Sequence, residues 1–341
     1  MNYPPNTLHP GETPMTSHRI GLAGVAAVLP PRFLDLDALA ARRLVTSAPD
    51  ALAGFGFRGA HVADADHDVG WMARDAARRA LADAGLSGPD VDVLIWASAL
   101  PANHVRPPDP DRAGPPDPSA AAMDQFRYAV GWLQDELGAD RAEAMAVGQQ
   151  GCATMFTAIR TARALIAADP HVNHVLCVGA DALPPGASRE IMYNVISDAA
   201  AAVVVSRDCP RDVIVADHRT SNGYYWDPVA HRAEIMAAYF PTSRAVVAEL
   251  LAKADLPPAA VDRLLPTGVN HASWDVLARL IGIDAGRIYR GPVAPFGHTL
   301  LVDNFIYLQA LRRDPAVAPG ARLLLFTYGF GSTWAAMLLE H

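Results

Sequence analysis

The chain is poor in cysteine, nearly devoid of lysine and free of long apolar runs, and each shortage removes a class of protein. Its 341 residues include three cysteines, Cys152, Cys177 and Cys209. An odd number at these spacings fits neither a disulfide framework nor a zinc site. The one lysine, Lys253, stands among many arginines, and no isolated phosphate patch can be read from them. The formal net charge is -8, whereas nucleic-acid-binding domains are usually basic, so nucleic acid is not expected as the main partner. No apolar stretch approaches the roughly 20 residues of a membrane span. Residues 1–18 are polar, rich in Pro and Thr, and lack the basic-then-apolar order of a signal peptide. They read as a flexible leader. The expectation is a soluble cytoplasmic protein with free thiols.

What the chain does have is core-forming residues: 51% are hydrophobic, enough to exclude global disorder. Apolar strand-like runs cover 20–28, 91–97, 175–178 and 199–205, then 213–216, 263–265, 323–326 and 333–339. Between them lie helical patterns. One starts at Asp68, a candidate N-cap, and ends at Gly85. Others cover 126–137, 156–168, 242–254, 274–281 and 303–311. Strands alternating with helices imply mixed or parallel sheets with helices packed on them. The alternation occurs twice, so the expected fold is α/β, a duplicated α/β/α unit with a site at the junction. The halves are placed at 19–208 and 209–341. Residues 101–119 are too proline-dense for a helix or central strand and read as a solvated insertion. Cys177 lies inside an apolar strand and reads as core. Cys209, before Pro210, reads as surface.

Cys152 is the most informative residue. A small apolar segment leads into it and a helical run follows at once. A helix N-terminus brings the positive end of the macrodipole and free backbone N–H groups, and both favour thiolate, the nucleophilic form, over thiol. The alternative is a small buried core residue, a common fate of free cysteine.

Several segments, in order, resemble the thiolase-fold condensing enzymes of the ketoacyl-ACP synthase III type. They are Gly56-Phe57-Arg58-Gly59, the Cys152 segment, Val178-Gly179-Ala180-Asp181, Ser197-Asp198-Ala199-Ala200-Ala201 and Gly329-Phe330-Gly331-Ser332-Thr333-Trp334. The resemblance spans 20–339. It implies a Cys152 thiolate that accepts an acyl group from acyl-CoA or acyl carrier protein, with no cofactor and no metal. It also implies an oxyanion hole made by the backbone N–H of Cys152 and one from 329–331. Alignment on Thr333-Trp334 selects Phe330, with Gly329 and Gly331 lining the substrate site. A homodimer is implied too, paired edge to edge through 175–178, with Phe126 closing the acyl tunnel of the neighbouring subunit.

Two departures matter more. Decarboxylating members carry His-Gln-Ala-Asn and, further on, Gly-Asn-Thr, whose His and Asn stabilise the enolate left by malonyl. Here the two places read Asn270-His271-Ala272-Ser273 and Gly297-His298-Thr299. In the register set by Ala272 and Gly297, Asn270 and His298 have exchanged positions. A one-residue slip would instead put His271 in the usual histidine place. In the exchanged register Asn270 and His298 are catalytic, His298 as a general base, His271 lines the substrate site, and Asp303 either orients His298 or supplies only a first-turn helix charge. Ser273 is the expected cap of the helix that follows. The pattern resembles the branch that moves acyl groups onto oxygen or nitrogen in secondary metabolism. Three functions stay open: such an acyltransferase, a decarboxylative condensing enzyme, and a non-catalytic partner subunit.

Overall fold

The computed structural model describes residues 19–100, 123, 126–192, 194–268, 271–290 and 297–341. The leader, the 101–119 insertion and Asn270 lie outside these. The central feature is a nine-stranded mixed sheet made of two blocks. The first block holds β1 (Gly21–Val28), β4 (Val93–Ala97), β5 (Glu143–Val147), β6 (His174–Asp181) and β9 (Ala199–Ser206). The second holds β10 (Val213–Ser221), β11 (Arg263–Leu265), β12 (Arg322–Gly329) and β13 (Thr333–Glu340). Their order is β11-β12-β13-β10-β1-β9-β6-β4-β5. Two small two-stranded antiparallel sheets, β2 (Phe33–Asp35) with β3 (Gly59–His61) and β7 (Glu190–Ile191) with β8 (Asn194–Val195), stand apart.

Strand alternation sorts the side chains into layers. Ile95, Cys177 and Val203 face the middle of the molecule, as do Leu323, Leu325, Met337 and Leu339 of the second block. There they enclose two helices, α5 (Thr154–Ala168) and α8 (Asp303–Leu311). The opposite faces carry Leu94, Trp96 and Leu176 toward α3 (Val69–Ala84) and α4 (Ala129–Leu137). In the second block Leu324, Phe326 and Leu338 face α6 (Arg232–Lys253) and α7 (His271–Ile281). Two short helices, α1 (Leu36–Ala41) and α2 (Pro49–Gly54), complete a satellite core. The result is a five-layered α/β/α/β/α arrangement.

Local chemistry sets the boundaries. Asp68 caps α3 by accepting from the Trp71 N–H, and Gly85 ends it in the left-handed conformation, which costs glycine no Cβ clash. The α6 helix begins ten residues before the expected 242, because it continues through Pro241. Its apolar face, with Ile235 and Val247 buried, holds it on β10 and β13 despite the lost hydrogen bond. By length and composition α6 is also the one helix among the described residues apolar enough to cross a membrane. Helix α7 starts at His271, so Ser273 lies inside it and does not cap it.

Three expectations need correction. Strand β6, which contains 175–178, is paired on both sides, by β4 and β9, and has no free edge to offer a partner. The free edge of the first block is β5, missed in the sequence because it is short and alanine-rich. Phe126 lies outside the amphipathic helix, which starts at Ala129. Cys209 is buried, at 8% exposure.

The blocks meet at β1 and β10 through a single registered pair, Gly21 with Val213. A buried ion network bolts this seam. Arg312 at the end of α8 bridges Asp212 at 2.6 Å and Asp83 of α3 at 2.7 Å, and it also donates to the Leu22 carbonyl. Asp212 is fully buried; burial opposes its charge, but His341 and Arg312 hold its carboxyl below the usual range. Removing one partner strands a buried charge, which typically costs about 3–5 kcal/mol. Arg312→Met is therefore expected to lower the unfolding free energy by an amount of that order. Urea denaturation measures it, and a loss below about 1 kcal/mol, the range of surface pairs, would show that the network bears no load.

Candidate active site

The helix start that carries Cys152 is shaped by close backbone contact. A short 3-10 turn, Gly151–Ala153, runs directly into α5. Gly151 has φ +52°, and a Cβ there would meet the Phe330 nitrogen at 2.6 Å. A Cβ on Gly329 would fall 1.8 Å from the Gln150 oxygen and 2.8 Å from the Cys152 nitrogen. Only glycine at both places lets the β12–β13 turn press on the nucleophile segment. The backbone segments that carry the Cys152 and Phe330 nitrogens are thereby pressed against each other. Gly331 is also left-handed, φ +85°, in the same turn.

Cys152 Sγ lies 3.3 Å from His298 Nε2. His298 Nδ1 is 2.5 Å from Asp303 Oδ2. Asp303 is fixed in turn by three further donors: the Gly268 N–H at 2.7 Å, the Thr299 N–H at 2.8 Å and the Thr299 hydroxyl at 2.6 Å. The backbone around His298 is clipped to the β8 region: its N–H donates to the Val195 carbonyl, and its carbonyl accepts from the Ser197 N–H. All three functional side chains are buried. They come from different blocks, Cys152 from the first, His298 and Asp303 from the second.

Burial alone would lower the pKa of His298, but the Asp303 carboxylate and the Cys152 sulfur raise it well above the ordinary imidazole range. Burial alone would raise Asp303, but its contacts with His298 and Thr299 hold it below the usual carboxylate range. Burial pushes the Cys177 thiol up, which fits an inert core residue.

Sulfur and imidazole open into a cavity of about 280 Å³ whose walls include Phe330, Tyr239 and Met236. Cys152, His298, Asp303, Gly329 and Phe330 thus converge. Phe126 does not join them within this chain: it is 67% exposed, with Tyr128 as its ring partner. His271 opens α7. Three contributions were not read from the sequence. Thr299 and Gly268, which brace Asp303, flank segments that attracted notice only for their histidines. The cavity walls from α6 are hidden because Pro241 masks the helix.

A buried thiol, imidazole and carboxylate in line form an arrangement shared by enzymes that use a nucleophilic cysteine. The comparisons place this one more closely. Residues 148–223 match the family model for 3-oxoacyl-[acyl-carrier-protein] synthase III, and residues 251–341 match the model for the C terminal of the same enzymes. The beta-ketoacyl-[acyl-carrier-protein] synthase III of Bordetella petrii is 27% identical, over 93% of this chain and 96% of its own length. The 3-oxoacyl-[acyl-carrier-protein] synthase III of Aquifex aeolicus superposes with a TM-score of 0.78 at 22% identity, covering 94% of this chain and all of that one. The acyltransferase ChlB3 superposes with a TM-score of 0.78 at 20% identity, over 94% of this chain and 97% of its own. The chain is a ketoacyl-ACP synthase III-like enzyme of the thiolase fold.

The shifted pKa values set a pH window. His298, raised, contributes stability that is complete below its ordinary value of 6.5 and is lost as pH climbs through its folded value. Asp303, lowered, contributes stability that is complete above 3.8 and is lost as pH falls through its folded value. The unfolding free energy of the wild type minus that of His298→Gln should therefore be greatest between pH 3.8 and 6.5 and shrink above. Chemical denaturation across pH measures this; a difference that grows between pH 6.5 and 9 contradicts a charged imidazole.

Proposed function

We propose that the chain is an acyltransferase. It takes an acyl group from acyl-CoA or an acyl carrier protein onto Cys152 and passes it to a hydroxyl or amine of a small molecule, in secondary metabolism, in the cytoplasm and without a cofactor. The observation that carries this reading is the unbroken line from Cys152 Sγ through His298 to Asp303. An imidazolium against the sulfur is a counter-ion for a thiolate. The thiolate attacks the donor carbonyl, whose oxyanion accepts from the N–H groups of Cys152 and Phe330. The intermediate collapses, and the departing thiolate of the donor takes the proton from His298. Once the sulfur is acylated, one of the two influences raising the His298 pKa is gone. The neutral imidazole then takes the proton of the acceptor as its oxygen or nitrogen attacks the thioester. Collapse of that intermediate releases the product and restores thiolate and imidazolium. Asp303 keeps Nδ1 protonated, so Nε2 is the nitrogen that faces the sulfur and the acceptor.

A second reading, decarboxylative condensation, is favoured by the names of the relatives. An enolate needs donors converging on its oxygen. His298 spends one ring nitrogen on Asp303 and points the other at the sulfur, which supports proton removal over that task. We propose also that the enzyme is a homodimer joined at the free β5 edge, with Phe126 reaching the neighbouring tunnel. Light scattering at micromolar concentration should give twice the chain mass, and a monomer would overturn it.

Intact mass spectrometry after exposure to an acyl-CoA panel is expected to show an adduct on the wild type and none on Cys152→Ala. From preloaded enzyme, His298→Ala should transfer about 10²–10⁴ times more slowly, the usual cost of losing a general base. Asp303→Asn should fall between the two enzymes. Carbon dioxide and a β-ketoacyl product from malonyl-CoA would sink the acyltransferase reading, and a wild type that never carries an acyl group would leave only a structural subunit.

A further inference from the structure

We propose that the acceptor is an uncharged alcohol borne on an apolar, ring-containing body, selected by the aromatic wall of the cavity and above all by Tyr239. The proposal rests on the acyl-transfer reading and narrows its acceptor. The cavity reaches both Cys152 and His298 and extends to Met236, which is 52% exposed and marks the side open to solvent. After loading, the donor's carrier leaves as a free thiol while the acyl group stays on Cys152, so the acceptor enters from the Met236 side along the rest of this wall.

The wall has a definite chemistry. Cys152 and His298 apart, none of the described residues lining the cavity carries a formal charge. An ammonium entering it would give up water without a counter-ion, a costly transfer. Five of the lining residues are aromatic: Phe55, Tyr239, Phe240, Tyr328 and Phe330. Neighbouring rings among Phe240, Tyr239, Tyr328 and Phe330 meet edge to face. Tyr239 meets Tyr328 at 5.7 Å and 81°, and Tyr328 meets Phe330 at 6.1 Å and 73°. Tyr328 also rests on Trp334 at 4.7 Å. Planes set at right angles form a corner that offers faces and edges together, the geometry in which a further ring packs best. A rigid ring also gives up less rotamer freedom than a flexible chain on entering. The corner is next to Phe330, whose backbone belongs to the proposed oxyanion hole. A ring seated there has its hydroxyl within a short arm of the thioester and of His298 Nε2.

The test starts from acyl-enzyme, verified by intact mass, and offers 2-phenylethanol, ethanol and 2-phenylethylamine at equal concentration and pH 7. Acylated products are quantified by mass spectrometry. Transfer to 2-phenylethanol is expected to exceed transfer to each of the others by about tenfold or more, the discrimination that an apolar pocket provides. Tyr239→Leu should collapse the ratio of 2-phenylethanol to ethanol toward one, whereas Tyr239→Phe, which keeps the ring, should preserve it. Because the readout is a ratio within one preparation, partial loss of folded protein cancels. Equal rates with the two alcohols, faster transfer to the amine, or an unchanged ratio in Tyr239→Leu would overturn the proposal while leaving acyl transfer intact. Failure to form the acyl-enzyme, or decarboxylation of malonyl-CoA, would instead remove the reading on which it rests.

Discussion

The molecule is organised around a histidine held between a sulfur and a carboxylate. His298 holds both contacts at once only while its ring stays at 3.3 Å from the sulfur and 2.5 Å from the carboxylate. The surrounding backbone is therefore committed to holding it. Asp303 satisfies its lone pairs with donors from two segments, which makes a buried carboxylate tolerable. Gly268 must lack a side chain, because a Cβ would come within 2.7 Å of Asp303 Oδ1. Gly297 must lack one as well, because a Cβ would fall 2.3 Å from the Val195 oxygen. Just beyond, Leu300 holds φ +55°. A leucine there is strained by an amount on the order of 1–3 kcal/mol, at the point where the chain turns from histidine to helix.

Much of this was legible from residue order. Strands such as β4 and β9 announce themselves because they are apolar almost throughout, as strands covered on both faces must be. Helix α3 was readable from its cap and its terminal glycine. The pairing of His298 with Cys152 rested on the resemblance of Gly297-His298-Thr299 to the family's Gly-Asn-Thr, and Asp303 on its place five residues after His298. What stayed hidden was hidden for physical reasons. Strand β5 is only five residues long and rich in alanine, with a single β-branched residue, Val147, so it lacks the composition that marks a strand. The first turns of α6 lie before a proline, and their role as cavity wall depends on packing between distant segments. Strand β6 looked available for pairing because sequence shows a strand but not its neighbours. Cys209 looked exposed beside Pro210, yet tertiary packing covers it.

The same scaffold can serve chemistries that differ by the placement of two side chains. A fold of this kind fixes where a thioester forms, through the helix start and the glycine turn. It does not fix what happens next. That depends on which groups face the sulfur from the second block, and here the facing group is an imidazole backed by a carboxylate.

Sulfur and imidazole come from opposite blocks, and the one registered pair of β1 with β10 is not all that joins those blocks. A single core packs Ile95 and Val203 of the first block with Leu325 and Met337 of the second around α5 and α8. The reacting atoms therefore cannot part without opening the interior that holds the fold, and the alignment of the site is as durable as the core itself.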